Sequence, residues 1–214
     1  MAAEQEHKLK QKNFVPRTSL SVGSLSEMQL WQEFKAGNQP AFDYIFAQYI
    51  RLLYSYGHKF TPKATMVEDC IQDLFIELWE KKHLLSNTNS IKYYLFKSLR
   101  RKLTRALEKE KHILGQVALA EDYYFDIIFS HETQLIKDQI TEEQHNSLTE
   151  ALAILSKRQK EVIYLRYFSN LSYEEVASIM GLNLNSTYKI VSKAIHTLKQ
   201  YLKLPVAMLL LFLW

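Results

Sequence analysis

Residues 172–196 read SYEEVASIMGLNLNSTYKIVSKAIH and have the spacing of two helices joined by a short turn. In a helix-turn-helix, a small residue stands where the two helices touch, and a glycine suits a turn that requires a positive φ angle. Ala177 and Gly181 fall at these two positions. The segment therefore predicts a helix-turn-helix whose second helix starts near Leu184 or Asn185. A purely structural helical hairpin is the alternative.

The two helices are predicted to carry distinct inward and outward faces. The inward positions are Val176, Met180, Leu182, Thr187 and Ile190. The outward positions of the second helix are Asn185, Ser186, Tyr188, Lys189, Ser192, Lys193 and His196. Polar, basic and aromatic side chains of this kind contact phosphates and base edges in the major groove of DNA. We therefore expect this helix to read duplex DNA. No second metal ligand stands at a suitable spacing from His196, so no metal site is expected.

The composition of the whole chain favours an all-α protein. Its 214 residues include five glycines and four prolines, too few for a sandwich or barrel of strands, which needs a turn about every 8–12 residues. The one cysteine, Cys70, excludes an intramolecular disulfide framework and a cysteine-based zinc site. The first residues include lysines but no apolar run of a signal peptide. These features predict a protein of the cytoplasm.

Charge is distributed along the chain in blocks, although the 27 Lys and Arg and the 23 Asp and Glu sum to only +4. Residues 92–111 hold eight basic and two acidic side chains, a net of +6. Residues 148–204 hold eight and four, a net of +4, and residues 113–147 between them hold one and seven, a net of −6. Two basic blocks indicate a polyanion contacted at two places. A solvated helical surface with a charged linker is the alternative.

Three amphipathic helices are predicted ahead of the first basic block. Ser24 and Glu27 have the spacing of a capping box that opens the first helix. The second helix carries an apolar stripe of Phe42, Ile45, Phe46, Tyr49, Ile50, Leu53 and Tyr56. The third, over residues 67–82, buries Val67, Ile71, Leu74, Phe75 and Leu78.

The opposite side of that third helix is acidic. The acidic row consists of Asp69, Asp73, Glu77 and Glu80, at helical spacing. Ile76 and Trp79 border this row. An acidic row beside two large apolar side chains is typical of a docking surface for a basic protein. The alternative is a broad helix that is buried on both sides.

A further helix is predicted from Ile91 to about Glu110, where the +6 block surrounds a core stripe. Its cations alternate with Tyr93, Tyr94 and Phe96. Cations for phosphates and aromatic rings for bases are what single-stranded nucleic acid requires. The structural alternatives are that Phe96 is a core residue and that Ser90 is only an N-cap.

Several stretches resemble the bacterial sigma-70 family. Residues 67–80, VEDCIQDLFIELWE, resemble its region 2.2, and residues 91–103, IKYYLFKSLRRKL, resemble its regions 2.3–2.4. The stretches LSKRQKEV at 155–162, LRYF at 165–168 and LSYEEVA at 171–177 resemble region 4. A linker takes the place of domain 3, so the nearest subgroup is the extracytoplasmic-function (ECF) type. The resemblance implies a sigma factor that binds core RNA polymerase and directs promoter-specific transcription initiation, and it implies no cofactor, metal or catalytic residue.

The resemblance also implies roles for individual residues. Core polymerase would be bound by Asp69, Gln72, Asp73, Ile76, Glu77 and Trp79. The −10 promoter element would be recognised and melted by Asn87, Asn89, Lys92, Tyr93, Tyr94, Lys97, Arg100, Arg101 and Arg105. The outward face of the helix over residues 185–199 would read the −35 element.

Five segments follow from these predictions. They are a flexible tail (1–24), a region 2 helical bundle (25–111), an acidic linker (112–147), a region 4 helix-turn-helix domain (148–204) and an apolar tail (205–214). The linker would thread the nucleic-acid channel of the polymerase. As a helix, the apolar tail spans about 15 Å, half of a hydrocarbon core of about 30 Å, so no integral membrane segment is expected. The tail is expected to fold back on a domain or to dock on a partner such as an anti-sigma factor; a membrane contact is the alternative.

Two other classes of protein are weighed against a sigma factor. A stand-alone helix-turn-helix regulator would bind its site tightly as a dimer without polymerase, whereas a free sigma factor would bind duplex DNA weakly. An enzyme such as a helical nuclease is disfavoured because no HExxH, Walker or carboxylate–histidine motif is present; the pair His131-Glu132 lacks the second histidine.

Overall fold

The structure, a computed structural model, describes residues 22–114, 123–127 and 142–202, and the regular structure within these ranges is helical. The apolar tail, most of the predicted N-terminal tail and most of the acidic linker lie outside the described residues. The helices are α1 (Glu27–Lys35), α2 (Gln39–Gly57), α3 (Ala64–Glu80), α4 (Ile91–Ile113), α5 (Glu142–Ile154), α6 (Lys157–Ile163), α7 (Tyr173–Met180) and α8 (Leu184–Leu202). The all-α fold is confirmed.

Helices α1 to α4 form an N-terminal bundle whose apolar stripes meet in one core. The largest side chains fully buried in it are Trp31, Phe34, Tyr56, Phe60 and Phe96. The stripe of α4 is buried as predicted, with Ile91, Leu95, Leu99 and Leu103 excluded from solvent. Phe96 is also fully buried, so the core interpretation of this residue is correct.

The first helix starts two residues later than predicted. Ser26 is the N-cap: its hydroxyl accepts a hydrogen bond from the Gln29 amide, and the Gln29 side chain accepts one from the Ser26 amide. Glu27 is unavailable for the predicted capping box because its carboxylate accepts hydrogen bonds from the Tyr49 hydroxyl, at 2.8 Å, and from the Ile91 amide, at 3.2 Å. The tertiary contacts of Glu27 therefore decide between two overlapping capping motifs.

Helices α2 and α3 approach each other closely at Gly57, the last residue of α2. A Cβ atom at this position would lie 2.4 Å from Cγ1 of Val67, which is buried on α3. No real side-chain contact is that short, so the α2–α3 packing requires a residue without a side chain.

Helices α5 to α8 form a C-terminal unit that contains the predicted helix-turn-helix. Gly181 follows α7 in the left-handed conformation, at φ +65° and ψ +34°, as the turn requires. Ala177 is buried. In α8, Thr187, Val191 and Ala194 are buried, whereas Ile190, predicted to point inward, is half-buried. Helix α5 begins at Glu142, inside the stretch predicted as linker.

The N-terminal bundle and the C-terminal unit pack against each other, and residues 123–127 lie in the seam between them. The ring of Tyr164 stacks on Tyr56, with ring centroids 5.8 Å apart, and Phe125 is buried against both. Phe125 is buried in the core that spans both units, and Tyr123 packs against it, so these two aromatic residues of the acidic stretch are part of that core.

Candidate protein and nucleic-acid interfaces

The acidic face of α3 is accessible to solvent. We use this name for Asp69, Gln72, Asp73, Ile76, Glu77 and Trp79. The first four of these residues are exposed, and 47 % of the surface of Ile76 is accessible. Glu77 is half-buried and accepts an ion-pair contact from Lys102 Nζ at 3.0 Å, which holds the pKa of its carboxyl below the ordinary value. The face thus combines carboxylates with an exposed aliphatic side chain.

Trp79 lies at the end of this face and packs against Phe42 and Lys82. Its ring lies 5.0 Å from the ring of Phe42, and Lys82 Nζ lies 4.0 Å from its ring centroid. Lys82 also donates a hydrogen bond to the Trp79 carbonyl at 2.9 Å. Trp79 is half-buried as a result.

An apolar groove of about 530 Å³ runs beside the acidic face, between α2 and α3. Its main lining residues are Phe42, Phe46, Ile50, Phe75, Ile76 and Trp79. Phe46 belongs to the predicted apolar stripe of α2. It keeps 42 % of its surface exposed, and its ring packs on Phe75 with the ring centroids 4.8 Å apart. This side of α2 therefore borders the groove rather than the core.

The loop ahead of α4 is held in place by the bundle. Trp31 Nε1 donates a hydrogen bond to the Ser86 carbonyl at 3.0 Å, and Lys35 Nζ donates one to Asn87 Oδ1 at 3.1 Å. Asn89 is exposed. Ser90 is the N-cap of α4, since its hydroxyl accepts a hydrogen bond from the Tyr93 amide. The two asparagines predicted at the −10 element thus stand at the start of α4.

The cationic and aromatic residues of α4 form the basic–aromatic face, which we define as Lys92, Tyr93, Tyr94, Lys97, Arg100, Arg101 and Arg105. Tyr94 is half-buried against Trp31, with ring centroids 5.1 Å apart. Arg101 and Arg105 are exposed. The structure therefore places seven of the nine predicted −10 residues on one helix.

Part of the basic–aromatic face is covered by the C-terminal unit. Lys92 Nζ donates a hydrogen bond to the Ser169 carbonyl at 3.2 Å. The Tyr93 hydroxyl lies 2.7 Å from Ser178 Oγ, to which Lys97 Nζ also donates a hydrogen bond at 2.9 Å. Burial alone would raise the pKa of Tyr93, but its hydrogen bonds with Lys97 and Ser178 lower it below the ordinary value.

Arg100 is engaged most completely, in a buried cluster around Glu161 of α6. Its Nε donates to one carboxylate oxygen of Glu161 at 2.7 Å, and a terminal nitrogen donates to the other at 3.2 Å. The hydroxyls of Tyr56 and Tyr123 donate to the same carboxylate. Burial, reinforced by the charge of Glu161, raises the pKa of both tyrosines well above the ordinary value.

The outward face of α8 is open. Asn185, Tyr188, Lys189, Ser192, Lys193 and His196 are exposed, and Ser186 is half-buried. The Ser186 amide donates to Asn183 Oδ1 at 2.7 Å, which caps the start of the helix. The Tyr188 ring packs against Tyr173, with centroids 4.5 Å apart, and remains 45 % exposed. The helix thus presents its polar and basic side chains to solvent.

Sequence reasoning did not single out Glu161 or Lys160 for the seam. Glu161 belongs to a charged run, KRQKEV, that is typical of the solvated start of a helix. It is buried because segments distant in the sequence pack around it. The cluster of aromatic residues over 123–129, YYFDIIF, was a signal, because a solvated acidic linker has little reason to carry it.

Within 22–114, 123–127 and 142–202, no helix is long and apolar enough to cross a membrane. The same ranges contain no group of three or more His, Cys, Asp or Glu side chains arranged to hold a metal ion.

Known families and proteins resemble both units of the chain. The sigma-70 region 2 model matches residues 45–113, and the sigma-70 region 4 model matches residues 145–198. The ECF RNA polymerase sigma factor RpoE of Cereibacter sphaeroides is 22 % identical over 168 residues, which cover 77 % of this chain and 88 % of that protein. The RNA polymerase sigma factor SigV of Bacillus subtilis is 25 % identical over 151 residues, 71 % and 82 % of the two chains.

Two solved structures share the fold. CnrH, determined in complex with the cytosolic domain of CnrY, has a TM-score of 0.54 and 20 % identity, with 84 % of this chain and 98 % of that chain covered. The sigma factor RpoE of Bartonella quintana, in complex with the anti-sigma factor NepR, has a TM-score of 0.56 and 23 % identity, with 76 % and 97 % covered.

Proposed function

We propose that this chain, which belongs to the sigma-70 family and is of its extracytoplasmic-function type, binds core RNA polymerase through α3 and promoter DNA through α4 and α8. Its function as a sigma factor, directing transcription initiation, follows from the two family regions. We assign its binding steps to separate surfaces on α3, α4 and α8. The observation that carries it is the exposed acidic face on one unit and the exposed outward face of a helix-turn-helix on the other.

Core polymerase docks on the acidic face of α3 and the adjacent apolar groove. A basic partner surface would pair with Asp69 and Asp73, and a large apolar side chain of the partner would enter the groove beside Ile76. Buried apolar contacts supply most of the affinity of such an interface, while the charges set orientation and association rate. Glu77 contributes less as a direct contact because Lys102 already pairs with it.

The basic–aromatic face holds the melted −10 strand. Lys92, Lys97 and Arg100 neutralise phosphates, and the rings of Tyr93 and Tyr94 provide surfaces for stacking of unpaired bases. Such stacking contributes about 1–3 kcal/mol per base, which offsets the few kcal/mol that extrusion of a base costs. Asn87 and Asn89, at the start of α4, bind the edge of a flipped base.

The outward face of α8 reads the −35 element as duplex DNA. Lys189 and Lys193 stand one helical turn apart and suit adjacent phosphates, while Asn185 and Ser186, at the helix N-terminus, suit base edges. No cofactor or catalytic group enters this scheme, in which the polymerase performs the chemistry. We propose that the protein acts in the cytoplasm.

An anti-sigma factor is the second partner that we propose. Both solved relatives were determined in complex with another protein, which for the RpoE of Bartonella quintana is an anti-sigma factor. The apolar groove beside the acidic face suits an amphipathic helix of such an inhibitor. Occupancy of the groove would then compete with core polymerase.

Run-off transcription from a promoter library with purified core polymerase tests the proposed function. Transcripts should start at defined positions only when this chain is added, and free chain should shift a −35 duplex only weakly. If the free chain instead binds a duplex site tightly as a dimer and never supports initiation, the protein acts as a stand-alone helix-turn-helix regulator.

A further inference from the structure

Three side chains of the C-terminal unit form a ladder that ends on the outward face of α8. The ring of Tyr188 packs on the ring of Tyr173, the first residue of α7, with centroids 4.5 Å apart and planes inclined by 37°. The guanidinium of Arg166, which precedes α7, lies 5.0 Å from the centroid of the Tyr173 ring. We call Arg166, Tyr173 and Tyr188 the aromatic ladder. It joins the two helices of the helix-turn-helix through side chains alone.

The inner end of the aromatic ladder is fixed by several contacts. A terminal nitrogen of Arg166 donates a hydrogen bond to the Leu171 carbonyl at 3.0 Å, and the guanidinium also lies 5.8 Å from the centroid of the Tyr167 ring. Burial, and next the proximity of Tyr173 and a hydrogen bond with it, raises the pKa of Tyr167 to about 12. A cation over aromatic rings is most favourable where water is partly excluded, and Arg166, Tyr167 and Tyr173 are all half-buried. Tyr173 is therefore held in place within the unit itself.

The outer end of the ladder is a supported but accessible ring. Tyr188 keeps 45 % of its surface exposed. Asn185, Tyr188 and Ser192 follow one another at spacings of three and four residues, so they share one side of α8. A ring that is already packed on Tyr173 loses little conformational freedom when a ligand binds. Tyr188 thus adds a rigid apolar surface to a side of α8 that is otherwise polar and basic.

One chemical group in the major groove fits such a surface. Every base pair presents hydrogen-bond donors and acceptors there, but thymine also presents a methyl group, which apolar side chains contact. Asn185 and Ser192 can use the donors and acceptors, and Lys189 and Lys193 suit phosphates. The exposed part of the Tyr188 ring is the large apolar surface on this side of α8, and it matches the methyl group.

We propose that Tyr188 is a specificity-determining residue that contacts a thymine methyl group in the major groove, and that Tyr173 is its positioning residue. The inference rests on the proposed function in that it takes α8 as the helix that reads duplex DNA, and it deepens that function by naming the base. Tyr173 acts through Tyr188 and does not touch the base. Loss of either ring should therefore remove discrimination for the methyl group without removing a phosphate contact.

The test starts with selection of preferred duplexes from a random pool by the full-length chain. Each thymine of the preferred site is then replaced by deoxyuridine, which lacks only the C5 methyl group, and anisotropy titrations measure the affinity for each duplex. The variants are Tyr188→Ala, Tyr173→Ala and Tyr173→Phe. The matched control is Tyr201→Ala, since Tyr201 is a second tyrosine of α8 and is 44 % exposed. No step requires polymerase, so failure of this inference and failure to support initiation are separate results.

For wild type, deoxyuridine at one position should weaken binding about fourfold, the effect expected when one buried methyl group is lost. Tyr188→Ala should bind the thymine and deoxyuridine duplexes equally. Tyr173→Ala should discriminate between them by less than about twofold, with an unchanged salt dependence because no charge is removed. Tyr173→Phe, which keeps the ring, and Tyr201→Ala should discriminate as wild type does.

The proposal is overturned if the pool yields no preferred site, if no thymine of that site is sensitive to deoxyuridine, or if Tyr188→Ala still discriminates at the sensitive position. Full discrimination by a Tyr173→Ala protein of native helicity would overturn the positioning role of Tyr173. If Tyr173→Ala does not fold, Tyr173→Leu, which fills the space without a ring, decides: it should lose discrimination, and wild-type discrimination would overturn that role.

Discussion

Helices α3 and α4 lie side by side in one bundle and carry opposite charges, yet they differ in accessibility. The acidic face of α3 is open, with Asp69, Asp73 and Ile76 exposed beside an apolar groove. The basic–aromatic face of α4 is largely engaged by the C-terminal unit, through Lys92, Lys97 and Arg100. In this conformation the acidic face is available to a protein partner, whereas the engaged residues of α4 must be released before they can hold single-stranded DNA.

The difference shows that one set of side chains can serve two interfaces. Cations and tyrosines suit phosphates and bases, but they suit buried carboxylates, serine hydroxyls and backbone carbonyls equally well. Arg100 is an example: its pairing with Glu161 satisfies the guanidinium within the chain. The acidic face of α3 is therefore available to a partner at once, whereas the basic–aromatic face of α4 must first be released from the C-terminal unit.

The largest expected effect is on the open face. Asp73→Lys places a like charge opposite a basic partner and should weaken core polymerase binding about 100-fold, or about 2.7 kcal/mol, since like-charge contacts cost several kcal/mol. Titration of fluorescent core polymerase measures it. The control is Glu108→Lys, a reversal of an exposed carboxylate on α4. Equal effects of the two reversals would show that net charge, rather than the α3 face, governs docking.

Gly57→Ala tests whether both faces depend on one rigid bundle. Its Cβ would lie 2.4 Å from Val67 Cγ1, so α2 and α3 must move apart. The free energy of unfolding should fall by about 1–3 kcal/mol, the usual cost of overpacking. Chemical denaturation measures this loss. A variant as stable as wild type would mean that α3 shifts freely, and the groove would then have no fixed shape.

Lys189→Ala sharpens the contrast between the two DNA-facing helices, since α8 is open while α4 is covered. Loss of one phosphate contact should lower affinity for −35 duplex DNA severalfold and flatten the salt dependence by about one unit. Anisotropy titrations over a range of salt concentrations measure the slope. Glu174→Ala, an exposed change at the start of α7, serves as the control. An unaltered salt dependence for Lys189→Ala would show that Lys189 does not contact a phosphate.

A smaller effect is expected from alkaline pH on the covered face. Burial and the charge of Glu161 raise the pKa of Tyr56 and Tyr123. In the closed state, with the two units packed together, these hydroxyls therefore keep their protons above pH 10.0, the ordinary pKa of tyrosine. In an open state, with the units apart, they would release them. The closed state is thus fully stabilised below pH 10 and loses stability as the pH rises further. The raised pKa of Arg100 keeps that partner charged, whereas Lys59, with a pKa lowered by burial, opposes the trend.

Small-angle scattering at pH 8 and above pH 10 would detect this opening, and helicity by circular dichroism separates it from unfolding. Tyr123→Phe removes one of the two titrating hydroxyls and should make the radius of gyration less sensitive to pH. An identical alkaline expansion in this variant would show that Tyr123 does not contribute.

The sequence predicted what depends on local spacing. The apolar stripes, the buried row of α4 and the Ala177–Gly181 turn are periodic or steric features, and the structure confirms them. Long-range contacts decided the rest. Ser26 replaced Ser24 as a cap because Glu27 is held by Tyr49, and Phe46 is exposed because it lies beside a groove that no local pattern reveals.

The partners of the basic side chains of α4 could not be predicted from the local sequence either. The sequence predicted that Lys92, Lys97 and Arg100 lie on one helix, but their present partners come from segments 61 to 81 residues away. Glu161 reads as part of a charged run until the fold encloses it. An isolated charge is not stable in such a site, so its burial identifies a partner that only the tertiary structure supplies.

The decisive measurement is the distance between the two units, compared in the free chain and in the promoter complex. Dyes on Gln48→Cys of α2 and Gln200→Cys of α8 label exposed positions, while Cys70 is buried. Energy transfer should be high in the free chain and should fall strongly when core polymerase and promoter DNA are added. The reason is that about 25 base pairs, or about 85 Å at about 3.4 Å per base pair, separate positions −35 and −10. Equal transfer in the free chain and in a transcribing complex would show that the two units do not separate for initiation.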